Sequence, residues 1–157
     1  MSKLENQFSG ETLGEIERCF KENGCYISTA KGNSMRPMLK SGRDVVIILP
    51  KRERLKQFDV ALYKRNDSYV LHRVISVESD GYVMRGDNAY YEEKIPEYCV
   101  IGVLSEFFNK KRSVKVTDEK YLKYVMRNQT SYKSRKFKND IISALKNIFD
   151  RDSIRHH

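Results

Sequence analysis

Apolar residues recur at two different periods along this chain, and the changes of period divide it into three. Near the start, Leu13, Ile16 and Phe20 fall on one face of a helix that Thr12-Leu13-Gly14-Glu15 opens as a capping box and Gly24 stops. From Cys25 onward the apolar residues gather instead in short β-branched runs: Tyr26 to Thr29, Val45 to Leu49, Val60 to Tyr63, Tyr69 to Val77, Tyr82 to Met84 and Tyr98 to Leu104. Those runs have strand length. Asn66-Asp67 and Asp80-Gly81 read as hairpin turns, the second as a two-residue primed turn. Helical spacing returns in 118–128 and 138–149, where Ile141, Ile142, Leu145, Ile148 and Phe149 form an apolar stripe, and Lys133, Arg135, Lys136 and Lys138 mark a basic linker between the two. The pattern predicts an N-terminal amphipathic helix over 1–24, a mostly β domain over 25–117 and a basic helical C-terminal extension over 118–157.

Charge sharpens that division. Lysine and arginine balance aspartate and glutamate over residues 1–109, so the whole net charge of +9 belongs to the last 48 residues. A basic amphipathic helix suits peripheral contact with an anionic membrane surface, and equally suits packing on the body with its cations solvated. Nucleic acid is the weakest of the tail's readings, because basic charge alone is unspecific and no helix-turn-helix, zinc or RNA-binding box accompanies it. No run approaches the roughly 18 to 20 apolar residues that span a bilayer, and Met1 to Gly10 lacks the apolar core of a signal peptide. Cys19, Cys25 and Cys99 form no CxxC pair and leave an odd count, which argues against a disulfide framework. They read as small buried apolar residues in a reduced, cytoplasmic protein.

Candidate chemistry lies in the β region. Ser34 sits in Gly32-Asn33-Ser34-Met35-Arg36-Pro37-Met38-Leu39, His72 in Leu71-His72-Arg73-Val74-Ile75, and Asp87 in Arg85-Gly86-Asp87-Asn88. A serine hydroxyl becomes a nucleophile when a neighbouring base takes its proton, a neutral imidazole does this near pH 7, and an acid can fix the imidazole tautomer. Each residue alone has a plainer reading: turn chemistry for Ser34 and Asp87, a strand histidine for His72. The other histidines, His156 and His157, end the chain and resemble the remnant of a purification tag. With Asp80-Gly81 as the turn, His72 and Asp87 are expected as cross-strand neighbours, whereas sequence gives no independent geometry for Ser34.

These boxes, spread over roughly residues 25 to 108, resemble the signal peptidase I family of serine peptidases. Ser34-Met35-Arg36-Pro37-Met38-Leu39 satisfies that family's Ser-Met-x-Pro-x-Leu box. Gly42-Arg43-Asp44-Val45-Val46 matches its Gly-Asp-(apolar) strand with one inserted residue, Phe58-Asp59-Val60 looks like the next Gly-Asp-Val element with its glycine replaced, and Gly86-Asp87-Asn88 is similar to its Gly-Asp-Asn box. His72 stands where some members carry a histidine base and the bacterial enzymes carry lysine, which makes Lys31 and Lys64 rivals away from the family position. Two features depart from the pattern: no membrane anchor is present, and Gly32 stands where a serine usually helps to hold the oxyanion.

The resemblance implies a mostly β fold of the signal-peptidase and repressor-C-terminal kind. It also implies a serine endopeptidase that cleaves a leader or precursor peptide, with Ser34 attacking, His72 as base, Asp87 orienting His72 and the Ser34 N–H serving the oxyanion. No metal-ligand cluster or phosphate-binding loop is apparent, so no cofactor is expected. Two alternatives stay open: a self-cleaving repressor of the same β fold, and a catalytically inactive module that recruits a partner, membrane surface or nucleic acid through its basic tail.

Overall fold

The computed structural model describes residues 7–8 and 13–154. The expected capping residue Thr12 and the terminal pair His156 and His157 lie outside the described residues. Helix α1, Leu13–Asn23, is followed by strands β2 (Tyr26–Thr29), β3 (Val45–Pro50), β4 (Val60–Arg65), β5 (Ser68–Val77), β6 (Gly81–Arg85), β7 (Glu93–Pro96), β8 (Val100–Asn109) and β9 (Arg112–Lys115). A two-residue strand β1, Gln7–Phe8, precedes α1, and helix α2 covers Glu119–Ile154. The fold is mostly β, with a helix at each end, as the apolar pattern predicts. The chain forms two compact units, residues 1–121 and 122–157.

In the first unit all strands belong to one antiparallel sheet of order β2-β3-β8-β4-β5-β6-β7, with β1 added to β5 and β9 to β8. Strand β5 changes partners along its length. Residues 68–73 pair with β4 and residues 73–77 with β6, through Arg65↔Ser68 to Val60↔Arg73 and then Arg73↔Arg85 to Val77↔Tyr82. Because a strand has two edges and β4 holds one, β1 lies on the edge that β6 leaves uncovered, with Gln7↔Val70 and Phe8↔Tyr69. Residues 69–74 are buried without alternation, so both faces of this part of β5 are covered. One buried apolar cluster includes Ala61, Tyr63, Val70, Val74, Tyr82, Met84 and Ile95, drawn from β4, β5, β6 and β7.

The structure changes several of the predicted elements. Strand β7 is not visible as a strand in sequence, since Glu93–Pro96 carries two charges and a proline, but its pairing with β6 makes it an edge strand, where proline is tolerated. Tyr98 and Cys99 belong to a 3-10 turn, Glu97–Cys99, and β8 begins after them. Two expected C-terminal helices are one, because lysine and arginine are good helix formers and the supposed linker holds neither glycine nor proline. In the second unit α2 exposes Met126, Phe137, Ile141, Ile142, Leu145 and Ile148. Cys19, Cys25 and Cys99 are free, and half-buried where full burial was expected. Among the described residues no helix is long and apolar enough to cross a membrane.

Candidate active site

Ser34 lies in the segment that joins β2 to β3, and the apolar residues of its box fix that segment to the core. Met35 and Leu39 are fully buried and Met38 nearly so. The Leu39 N–H donates to the Met35 carbonyl at 2.9 Å and the Arg36 N–H to the Asn33 carbonyl at 3.2 Å, which folds the chain tightly around Ser34. The far end is pinned by buried Asp44, whose carboxylate accepts the Lys40 N–H at 2.8 Å and the Arg43 Nε–H at 2.5 Å. Gly32 has φ of 80° and donates its N–H to Ser41 Oγ at 3.1 Å. Glycine at this position therefore has a backbone reason, since a serine would carry its Cβ into the left-handed region.

His72 comes to Ser34 from the sheet. Tight pairing of β4 with β5 sets Ala61 opposite His72 and Tyr63 opposite Val70, so Tyr63 and His72 are diagonal neighbours on one face. His72 Nε2 is 3.0 Å from Ser34 Oγ. On the other side of the ring, Nδ1 is 3.0 Å from Tyr63 Oη and 3.4 Å from Glu93 Oε1. The Tyr63 hydroxyl donates to Glu93 Oε1, and Arg65, two residues further along β4, reaches both Glu93 oxygens at 3.4 Å.

The electrostatics of this chain are one-sided. Burial disfavours a charge on Glu93, but hydrogen bonds from His72 and Tyr63 and the Arg65 charge outweigh it and hold the carboxyl below its ordinary range. Burial first, and then the Glu93 charge and hydrogen bond, push the Tyr63 phenol far up, so its hydroxyl keeps its proton. Ser34 and His72 are both fully buried. The arrangement can take a proton from Ser34 Oγ onto an imidazole whose far nitrogen is already held.

Asp87 belongs to a different network. The expected cross-strand contact with His72 gives way to a bidentate pair with Arg73, at 2.7 Å from both Nε and Nη2. Parity explains the change: Arg73 pairs with Arg85, so residues 73, 85 and 87 face one way while His72 faces the other. The shift comes from one bulge. The turn is at Ser79-Asp80, with Glu78 N–H bonded to the Gly81 carbonyl, which alone would set residue 87 opposite 72, and the bulge between Val74 and Ser76 moves that register by one residue. Gly81 is a strand glycine because a Cβ there would collide with the Ile95 carbonyl of β7. Arg73 also donates to the Phe58 carbonyl at 3.0 Å and to Tyr121 Oη at 3.1 Å. Phe58 itself has φ of 75°, which fits a position where the resembling box has glycine.

The Gly86-Asp87-Asn88 box nevertheless touches the nucleophile loop, through its backbone and its asparagine. Gly86 stands next in register to His72, and a Cβ added there would lie 2.6 Å from the Ser34 carbonyl oxygen and 2.9 Å from Ser34 Cβ. The Asn88 N–H donates to the Ser34 carbonyl at 2.7 Å and its side-chain amide to the Asn33 carbonyl at 3.3 Å. The box seats the loop against the sheet.

The structure thus brings Ser34 and His72 together and sets Asp87 apart, while the rival bases Lys31 and Lys64 are exposed. Sequence reasoning missed Tyr63 and Glu93. Tyr63 was within reach, because a two-residue turn at Asn66-Asp67 sets Arg65 opposite Ser68 and hence Tyr63 diagonal to His72. Glu93 gave no signal, lying in a polar stretch without alternation. Among the described residues no group of three or more His, Cys, Asp and Glu could hold a metal ion.

No curated protein and no solved structure matches the chain. Among known families, the one described as Peptidase S24-like matches residues 3–104, a span that holds Ser34, Tyr63, His72, Arg73, Asp87 and Glu93 and covers well over half of the sequence. With its curled β sheet and the serine segment packed against β5, the chain belongs to the Peptidase S24-like family.

Proposed function

We propose that this protein is a serine endopeptidase with a Ser–His site of the signal-peptidase type, acting on a leader or precursor peptide. The observation that carries the reading is the 3.0 Å separation of Ser34 Oγ and His72 Nε2. Ser34 Oγ attacks the scissile carbonyl carbon, His72 accepts the hydroxyl proton and returns it to the leaving amine, and water releases the acyl group by the same route. A peptide substrate is favoured by β1: an extended segment already pairs with β5 at Tyr69 and Val70, two residues from His72.

The full burial of Ser34 and His72 favours a second reading, a binding module that never turns over. Incubation of the full chain with a mixed peptide library, followed by mass spectrometry of the products, separates the two. The peptidase yields new termini that vanish in Ser34→Ala, whereas products that persist in Ser34→Ala, or no products at any pH between 6 and 9, favour the binding module.

A further inference from the structure

We propose that Glu93, acting through the Tyr63 hydroxyl, sets the tautomer of His72 and meets the charge that forms on it. Tyr63 and Glu93 would then be the positioning residues of this site in the place that sequence reasoning gave to Asp87. The inference rests on the Ser34–His72 reading above, but the hydrogen-bond polarity can be worked out without it.

Ionised Glu93 can only accept. Arg65 lies 3.4 Å from both of its oxygens, and the carboxyl is held in the ionised range by that charge and by its hydrogen bonds. The Tyr63 hydroxyl must therefore spend its single proton on Glu93 Oε1. What remains on Tyr63 Oη toward the ring, 3.0 Å from Nδ1, is a lone pair. Nδ1 must then carry the proton, which leaves Nε2 bare and facing Ser34 Oγ. Each bond fixes the direction of the next.

In the reaction the Ser34 Oγ–carbon bond forms as the carbonyl π pair moves onto oxygen, and the hydroxyl proton passes to Nε2. Collapse of the adduct breaks the carbon–nitrogen bond, and the amine leaves with that proton. The protons on Nδ1 and Tyr63 Oη stay where they are throughout. Between the two steps the imidazolium has Glu93 Oε1 3.4 Å from Nδ1. Asp87 has no part in this, since Arg73 holds both of its oxygens on the other face of β5.

Two measurements on the full chain test the proposal. With histidine labelled by nitrogen-15, nuclear magnetic resonance near pH 8 should show His72 protonated at Nδ1. The Nε2–H form should gain in Tyr63→Phe and in Glu93→Gln, both near-isosteric changes whose folding is checked by melting temperature. Wild-type His72 protonated at Nε2 would overturn the proposal whether or not the protein is active. The second readout is the rate at which a fluorophosphonate labels Ser34, followed against pH. Glu93→Gln should lose about 10- to 100-fold, less than the roughly 10⁴-fold for a directly bonded triad carboxylate, and its acid limb should move to lower pH because the negative charge that favours imidazolium is gone. An equal loss with an unmoved limb would make Glu93 a merely structural residue. Should the wild type show the Nδ1–H form and yet resist labelling, the relay stands and the peptidase reading fails.

Discussion

His72 and Arg73 are adjacent in sequence and face opposite sides of β5, and each anchors a buried polar network of a different kind. Arg73 is bound by four partners, Asp87, the Phe58 carbonyl, Tyr121 and the Met38 sulfur, and every one of these contacts ties two parts of the chain together. Burial disfavours the guanidinium charge, but Asp87 outweighs it and keeps Arg73 protonated. His72 sits instead in a line of single bonds with one movable proton, on the Ser34 side. Burial and strong pairing are common to both networks. Only the second has a base with a free direction of proton flow toward a hydroxyl, so it is the polarity of the bonds that marks the candidate site.

The largest effect should come from breaking the Arg73 side. Asp87→Ala leaves a buried guanidinium without its carboxylate, which costs about 3 to 5 kcal/mol of stability. Chemical denaturation should show this loss, and any fall in activity should follow the fraction folded. A fully folded Asp87→Ala protein that had lost activity would move Asp87 into the site and erase the contrast.

Gly86→Ala should act on the boundary between the two networks. The new Cβ must displace Ser34, and a shift of about 1 Å in a reacting group can cost on the order of 10²-fold in rate. The expected result is slower labelling of Ser34 with a smaller loss of stability than Asp87→Ala. Unchanged labelling would mean that the loop relaxes away from the strand without disturbing the nucleophile.

The smallest effect concerns acid pH. Glu93 has a folded-state pKa below its unfolded value, so it contributes stability that is present above about pH 4.3 and is lost as pH falls through the lower folded value. The melting temperatures of the wild type and Glu93→Gln should converge as pH falls from 5 toward 3. Parallel curves over that window would show that Glu93 is not held in its ionised form by the fold.

Most of the sheet was legible in sequence, because β2 to β6 and β8 are runs of β-branched and aromatic residues that alternation and turns delimit. Ser34 and His72 stood out only through the resemblance of their boxes to signal peptidase I; the Ser34 box has a physical basis in that Met35, Met38 and Leu39 fill a core while Ser34 is held beside the strand. Asp87 was misplaced by one event that leaves no trace in an alternating pattern. A turn at Ser79-Asp80 would by itself set His72 opposite Asp87, but the bulge at Ile75 shifts the register by one residue. One residue is enough to exchange the faces of a strand. Glu93 stayed hidden for a related reason, since β7 becomes a strand only by pairing with β6.

The central claim, that Ser34 is a nucleophile activated by His72, is tested most directly by treating the folded wild type with a fluorophosphonate and mapping the adduct by mass spectrometry. Slow labelling at Ser34 alone is predicted, slow because the side chain is buried, with none in Ser34→Ala and at least a roughly 10²-fold lower rate in His72→Ala. Labelling of His72→Ala at the wild-type rate, or an adduct on a residue other than Ser34, would contradict the account.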